Sequence, residues 1–328
     1  LTLWVDGARY QLGYMLIGLG LILSRRFNFH YGKFIQIIFV QSIIIICIAW
    51  IEFFHVEIIE VMYGIAKSEM KNTTLAIGSR LISVMGNPIN LGAFTCLSLI
   101  VFQFMYSAKR VSRITYYLLI VASAFVCFFT FSRLAMMVYF FLFIFISIRN
   151  KDWFVVAFAC LIVLFVASTL SVSDLATASN INTEHLINRV AGMLEGRTYS
   201  ENIRVIHWAA AINALDNLVY FLWGLGFGVS NPSMDTGGFI VENAFVSVLV
   251  ETGFFGLFIY LSYILLCMMN LTFRKKTMGR EARQFCIFFL IFFVILSVGN
   301  DFNRNLPFVL YFWLFTAGIF VQKNGVTK

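Results

Sequence analysis

Charged residues are scarce in this sequence. They make up 12% of it, about half the share found in a soluble domain. Proline is scarcer still, with three residues, Pro88, Pro232 and Pro307, each outside the interior of an apolar run. The six cysteines all lie inside apolar stretches and none forms a C-x-x-C pair. That excludes a disulfide framework or a zinc ribbon, and such cysteines behave as small lipid-buried hydrophobes. Histidine is rare, and His55, His185 and His207 are far apart with no H-x-x-x-H or Asp-x-Asp pattern beside them. Neither a metal site nor a cofactor is expected from that inventory. No nucleophile elbow marks a covalent mechanism. No basic stripe of motif spacing marks a nucleic-acid partner.

What is abundant is apolar. Hydrophobic residues make up 60% of the chain, 38 of them Phe, and the mean hydropathy is +0.87. A soluble fold could not hide so much apolar surface, so the bilayer is the solvent that fits. Nine stretches can serve as spans: 10–23, 34–54, 89–106, 114–131, 134–148, 153–170, 253–270, 284–298 and 307–320. Backbone in lipid must satisfy itself, which makes them helices. The fold class expected is therefore all-α, a polytopic transmembrane bundle forming one membrane domain over 1–328. Residues 171–252 form its large helical external loop. The basic residues after the first stretch, Arg25 and Arg26, have the wrong polarity for a signal peptide. With Leu1 at the start, further residues are expected upstream.

Orientation follows from loop charge. Alternate loops carry 15 of the 24 basic residues with only two acids, Asp152 and Glu281. By the positive-inside rule that set is cytoplasmic. The opposite loops, which include 171–252, are then external, and seven of their nine basic residues are Arg. Arginine suits bidentate recognition of phosphate. The interiors of the apolar stretches hold no charged residue, which weakens an ion-coupled transporter reading. Chemistry is expected at the external interface.

Several residues there are candidates. Arg189 and Arg197 have acids available for pairing, whereas Arg133 sits in a turn between two apolar helices with no acid near it in sequence. Thr198-Tyr199-Ser200-Glu201 reads as a capping box, opening a helix on which Arg204, His207, Trp208 and Ala211 share a face. A cation beside an aromatic suits a phosphate and a sugar ring. The same pattern suits an amphipathic helix lying on the membrane with Arg and His solvated. The glycine-rich stretch Trp223 to Gly228 could bring amides to a phosphate, or could be a plain connecting turn. Asn243 is placed as a helix N-cap. Glu242 before it either acts as general base toward a sugar hydroxyl or completes the cap. Glu251, about opposite on the same helix, is read as structural.

Four places together resemble the bacterial O-antigen polymerases and O-antigen ligases, membrane glycosyltransferases acting on undecaprenyl-diphosphate-linked glycans. Arg80 with Gly86-Asn87-Pro88-Ile89-Asn90 resembles the family's Arg before a helix start. Thr130-Phe131-Ser132-Arg133 resembles its S-R turn. Arg204, Trp208 and Gly224-Leu225-Gly226 resemble its R…W…G-x-G stretch. Glu242-Asn243 with Gly253 and Gly256 resembles its H-N-x9-G-x-x-G signature. The likeness runs from about Arg80 to the C-terminus. The ligases have His where this chain has Glu242, which favours a polymerase.

The resemblance implies a GT-C-like bundle with more than nine helices and an active face on the periplasmic side of the inner membrane. It implies metal-independent transfer of a growing glycan from undecaprenyl diphosphate to another lipid-linked repeat unit. Arg133, Arg204 and Glu242 would be catalytic. Arg80, Asn243, His207, Trp208 and Arg304 would bind substrate. Membrane lipid and a chain-length regulator would be partners. A ligase acting on a lipid A-core acceptor is the near alternative, and a lipid or sugar transporter the distant one.

Overall fold

The computed structural model describes residues 2–23, 30–65, 74–75, 78–151, 199–230, 241–273, 279–303 and 305–321. The expected span 153–170 and the first part of the external loop, 171–198, lie outside them. Eleven α-helices run through the described residues in chain order. They are α1 Thr2–Leu23, α2 Tyr31–Phe54, α3 Glu57–Tyr63, α4 Pro88–Ser107, α5 Arg113–Phe129 and α6 Arg133–Arg149. The rest are α7 Tyr199–Asn213, α8 Leu218–Trp223, α9 Ala244–Phe273, α10 Arg280–Gly299 and α11 Phe308–Val321. The remaining regular structure is a two-residue ladder, β1 Thr74–Leu75 with β2 Gly78–Ser79, and a 3-10 turn Ser83–Met85.

Among the described residues, four helices, α2, α4, α9 and α10, are long and apolar enough to cross a membrane. Residues 13–23 of α1, together with α5 and α11, are shorter apolar helices. The chain is a multi-pass helical membrane protein with four full-length candidate spans among the described residues, and the count of nine goes beyond them. Large apolar side chains such as Ile44, Leu118, Phe258, Ile259 and Leu265 are exposed. Water would not tolerate that many, whereas lipid does.

The chain divides into two compact units, one of Leu1–Ile35 with Tyr199–Lys328 and one of Gln36–Thr198. In the second, α4 is the central element and packs against both α5 and α6. Seventeen of its twenty residues are buried, as expected of a helix apolar all round. Gly92 makes the approach possible, because a Cβ there would stand 2.8 Å from that of Ala135 on α6. In the first unit, α9 packs against α7, α8, α10 and α11. Much of the phenylalanine is spent in that unit. Phe293 stacks on Phe312 at 4.3 Å, and Phe289 meets Phe315 at 4.7 Å. The Tyr31 hydroxyl finds a partner inside this core by donating to the Phe315 carbonyl at 3.0 Å, as a buried tyrosine requires.

Candidate functional site

Two of the four motifs meet in the unit of residues 36–198. The loop from Arg80 to Asn87 lies against the turn that joins α5 to α6. Arg80 is buried, and its Nε donates to the Thr130 carbonyl at 2.7 Å. The Leu81 amide donates to the Phe129 carbonyl at 3.1 Å. Asn87 caps α4 by accepting the Ile89 amide at 2.8 Å, with Pro88 in the first helical position, where its missing N–H costs nothing. Across from it, Phe131 takes a left-handed φ of 50°, which reverses the chain. The Thr130 hydroxyl donates to the Cys127 carbonyl at 2.7 Å and accepts the Ser132 amide at 3.3 Å.

Arg133 is then the first residue of α6 and is partly exposed. A cation at a helix N-terminus opposes the macrodipole, so helix stability does not account for it.

The other two motifs meet in the unit containing residues 199–328. Arg204 on α7 forms an ion pair with Glu242, Nε to Oε2, at 2.6 Å. Both side chains are about two-fifths exposed, 38% and 41%. Farther along the same face of α7, Ala211 is buried with Val241 and Val250, and Trp208 packs against them. The helix is thus docked at its Trp208–Ala211 end and presents Arg204 beside the segment before α9. His207 is partly exposed. The Trp208 indole nitrogen is buried without a hydrogen-bond partner among the described residues. Asn243 caps α9, accepting the Phe245 and Val246 amides at 2.9 and 3.1 Å. Glu242 is therefore the last residue outside the helix, while the cap itself is made by Asn243. Thr198 of the expected capping box lies outside the described residues, as does Arg304.

The glycine turn is closed by the protein's own groups. Helix α9 kinks at Gly253, where φ is 69° and ψ −170°. The kink frees carbonyls, and the Leu225 and Gly226 amides donate to those of Val250 and Glu251 at 2.8 and 3.1 Å. The Gly228 and Ser230 amides and the Ser230 hydroxyl donate to Oε1 of Glu251 at 3.0, 3.2 and 2.7 Å. These amides hold a carboxylate and two carbonyls, so a phosphate cradle is not what the turn forms. The plain connecting turn is, and Glu251 is structural as read.

Three features escaped the sequence reading. Glu52 of α2 is fully buried and accepts the Ile82 and Ser83 amides. Its signal was present, because it is the lone acid in 34–54. The hydroxyls of Ser230 and Ser247 touch at 2.7 Å, a pairing no spacing predicts. Asp301, in the turn between α10 and α11, is buried. Burial pushes its carboxyl up to about 6, against the lowering effect of the nearby Ser247 side chain and Asn303 backbone.

Residues 118–261 match the family model described as O-antigen ligase. The match spans Arg133, Arg204, His207, Trp208, Glu242 and Asn243, with Gly253 and Gly256. No curated protein matches the chain. The family match bears out the resemblance to the O-antigen polymerases and ligases, and it supports a membrane glycosyltransferase of that general type.

Proposed function

We propose that the protein is a repeat-unit polymerase for a surface polysaccharide, working at the periplasmic face of the bacterial inner membrane. It moves a growing glycan from one undecaprenyl diphosphate onto a sugar hydroxyl of another lipid-linked repeat unit. The observation that carries this reading is the Arg204–Glu242 pair at 2.6 Å. A candidate base and a candidate phosphate ligand, from motifs 38 positions apart, are neighbours in space. The pair is exposed enough to be worth about 1 kcal/mol or less to folding, so substrate can enter between its members at little cost.

In this reaction the bond from the donor's anomeric carbon to the diphosphate oxygen breaks, and its electrons leave with the undecaprenyl diphosphate. The acceptor hydroxyl oxygen bonds to that carbon, and its proton passes to Glu242. Negative charge grows on the departing diphosphate. A guanidinium charge is suited to stabilise it, and Arg204 and Arg133 are each assigned that role. The dipole at the start of α6 acts in the same sense as Arg133. Arg80, Asn243, His207, Trp208 and Arg304 are assigned to binding and placement of the lipid-linked glycan. A chain-length regulator is the expected protein partner.

The ligase is the second reading, favoured by the description of the matching family. Product analysis separates the two. In a deletion strain, Arg133→Ala and Arg204→Ala should reach the membrane at normal level and leave single repeat units without long chains. Accumulation of full-length polymer lacking its final acceptor would assign the protein as a ligase. Normal chain length in both variants would refute the site.

A further inference from the structure

The loop that carries Arg80 is gripped by a residue outside all four motifs. Glu52 is 0% exposed near the end of an apolar helix, where an ionisable group is expensive and calls for a role. Its two oxygens take the Ile82 amide at 3.1 and 3.2 Å, and Oε2 takes the Ser83 amide at 2.7 Å. Two successive amides can face one acceptor here because Ser83 lies in the left-handed region, with φ 47°. Ile82 before it has φ −126° and ψ −27°. Converging amides of this kind form an anion-binding concavity, and here the chain's own carboxylate fills it.

The same loop is tied on two further sides. The Ser83 hydroxyl donates to the Ile45 carbonyl at 2.9 Å, and the Tyr63 hydroxyl donates to the Ser83 carbonyl at 3.0 Å. Only Leu81 separates the amides held by Glu52 from Arg80. Leu81 and Arg80 are themselves bonded to Phe129 and Thr130, directly before the turn that leads into Arg133.

We propose that Glu52 is a positioning residue. By holding the Ile82 and Ser83 amides it sets where the Arg80 guanidinium meets the diphosphate of the lipid-linked substrate. The proposal rests on the assignment of Arg80 to substrate binding made above. A residue acting in this way should affect donor binding more than turnover. Its effect should depend on an acceptor oxygen rather than on side-chain bulk.

The test uses purified full-length protein and lipid-linked repeat units extracted from the deletion strain. Glu52→Met keeps the volume and removes the acceptor, whereas Glu52→Gln keeps a carbonyl oxygen within reach of both amides. Glu52→Met is expected to raise KM for the donor about tenfold with kcat within about threefold, and Glu52→Gln to leave both within about threefold. Amide hydrogen exchange at Ile82 and Ser83 should quicken about tenfold in the Met variant and not in the Gln variant. Should the Met variant fail to accumulate, Glu52→Asp, one methylene shorter and unable to reach both amides, is expected to raise KM about tenfold.

Unchanged KM and exchange in the Met variant, or in its absence the Asp variant, overturn the proposal. Arg80→Ala run in parallel separates the two layers. If it raises KM while Glu52→Met does not, only the role of Glu52 falls. If Arg80→Ala leaves KM unchanged, the assignment of Arg80 falls, and the role of Glu52 falls with it whatever the exchange rates show.

Discussion

Gly224 and Gly253 meet backbone against backbone. A Cβ on Gly224 would collide with the Glu251 carbonyl group, and one on Gly253 with that of Leu222. Both residues also have positive φ, 79° and 69°. Their approach brings the end of α8 onto the kink of α9, and Phe221 stacks on Phe254 across the junction at 6.0 Å. Two glycines that look like separate motif letters are therefore one joint.

Alanine at either position is strained twice, by φ and by the neighbouring backbone. Gly224→Ala and Gly253→Ala should each cost about 2 kcal/mol or more. Thermal unfolding in detergent checks this, and an unchanged midpoint in either variant would show that the joint does not matter to stability.

The Arg204–Glu242 pair should matter far more to activity than to folding. Arg204→Ala and Glu242→Gln are each expected to change stability by less than about 1 kcal/mol, while polymer formation falls at least about a hundredfold. Full polymer length in the Gln variant would remove Glu242 as the base.

Asn243→Ala should cost about 1 kcal/mol through the lost cap and loosen the placement of Glu242. Asn243→Asp and Asn243→Ser restore a capping oxygen, so chain length should recover in both. Recovery in neither would mean that Asn243 acts on substrate directly as well as capping the helix.

Asp301 gives a pH dependence with a definite sign. Its carboxyl is raised from the ordinary 3.8 to about 6, so the folded state holds a proton that the unfolded state has released. The contribution is fully present below about pH 4 and is lost as pH rises through about 6. The whole shift is on the order of 3 kcal/mol. Asp301→Asn removes this dependence, and the variant should be the more stable protein above pH 6. Parallel unfolding of both proteins between pH 4 and 7 measures it, and identical curves would count against a buried, proton-holding Asp301.

Apolar runs were legible because lipid imposes one demand on length and composition. The run 34–54 became α2, Tyr31–Phe54, three residues longer at its start. The run 253–270 and the Asn243-capped helix before it are two helical stretches within Ala244–Phe273 that meet at a non-helical residue, Gly253. Gly253 reads as a boundary in sequence, and the backbone does break there, with α8 packed against the break. Asn243 was found because a cap is local, spanning three residues. Glu52 was not, since its partners, Ile82 and Ser83, lie 30 residues away. Of the residues placed on one face of α7, Ala211 and Trp208 pack in one cluster. No spacing could show that Arg204 would reach Glu242, because that contact depends on how α7 docks against α9.

Asn243 also determines what kind of position 242 is. Since the cap begins the helix, the side chain before it is released from helical register and from the packing of α9. Histidine, glutamate or another group can be exchanged there without asking the fold to change.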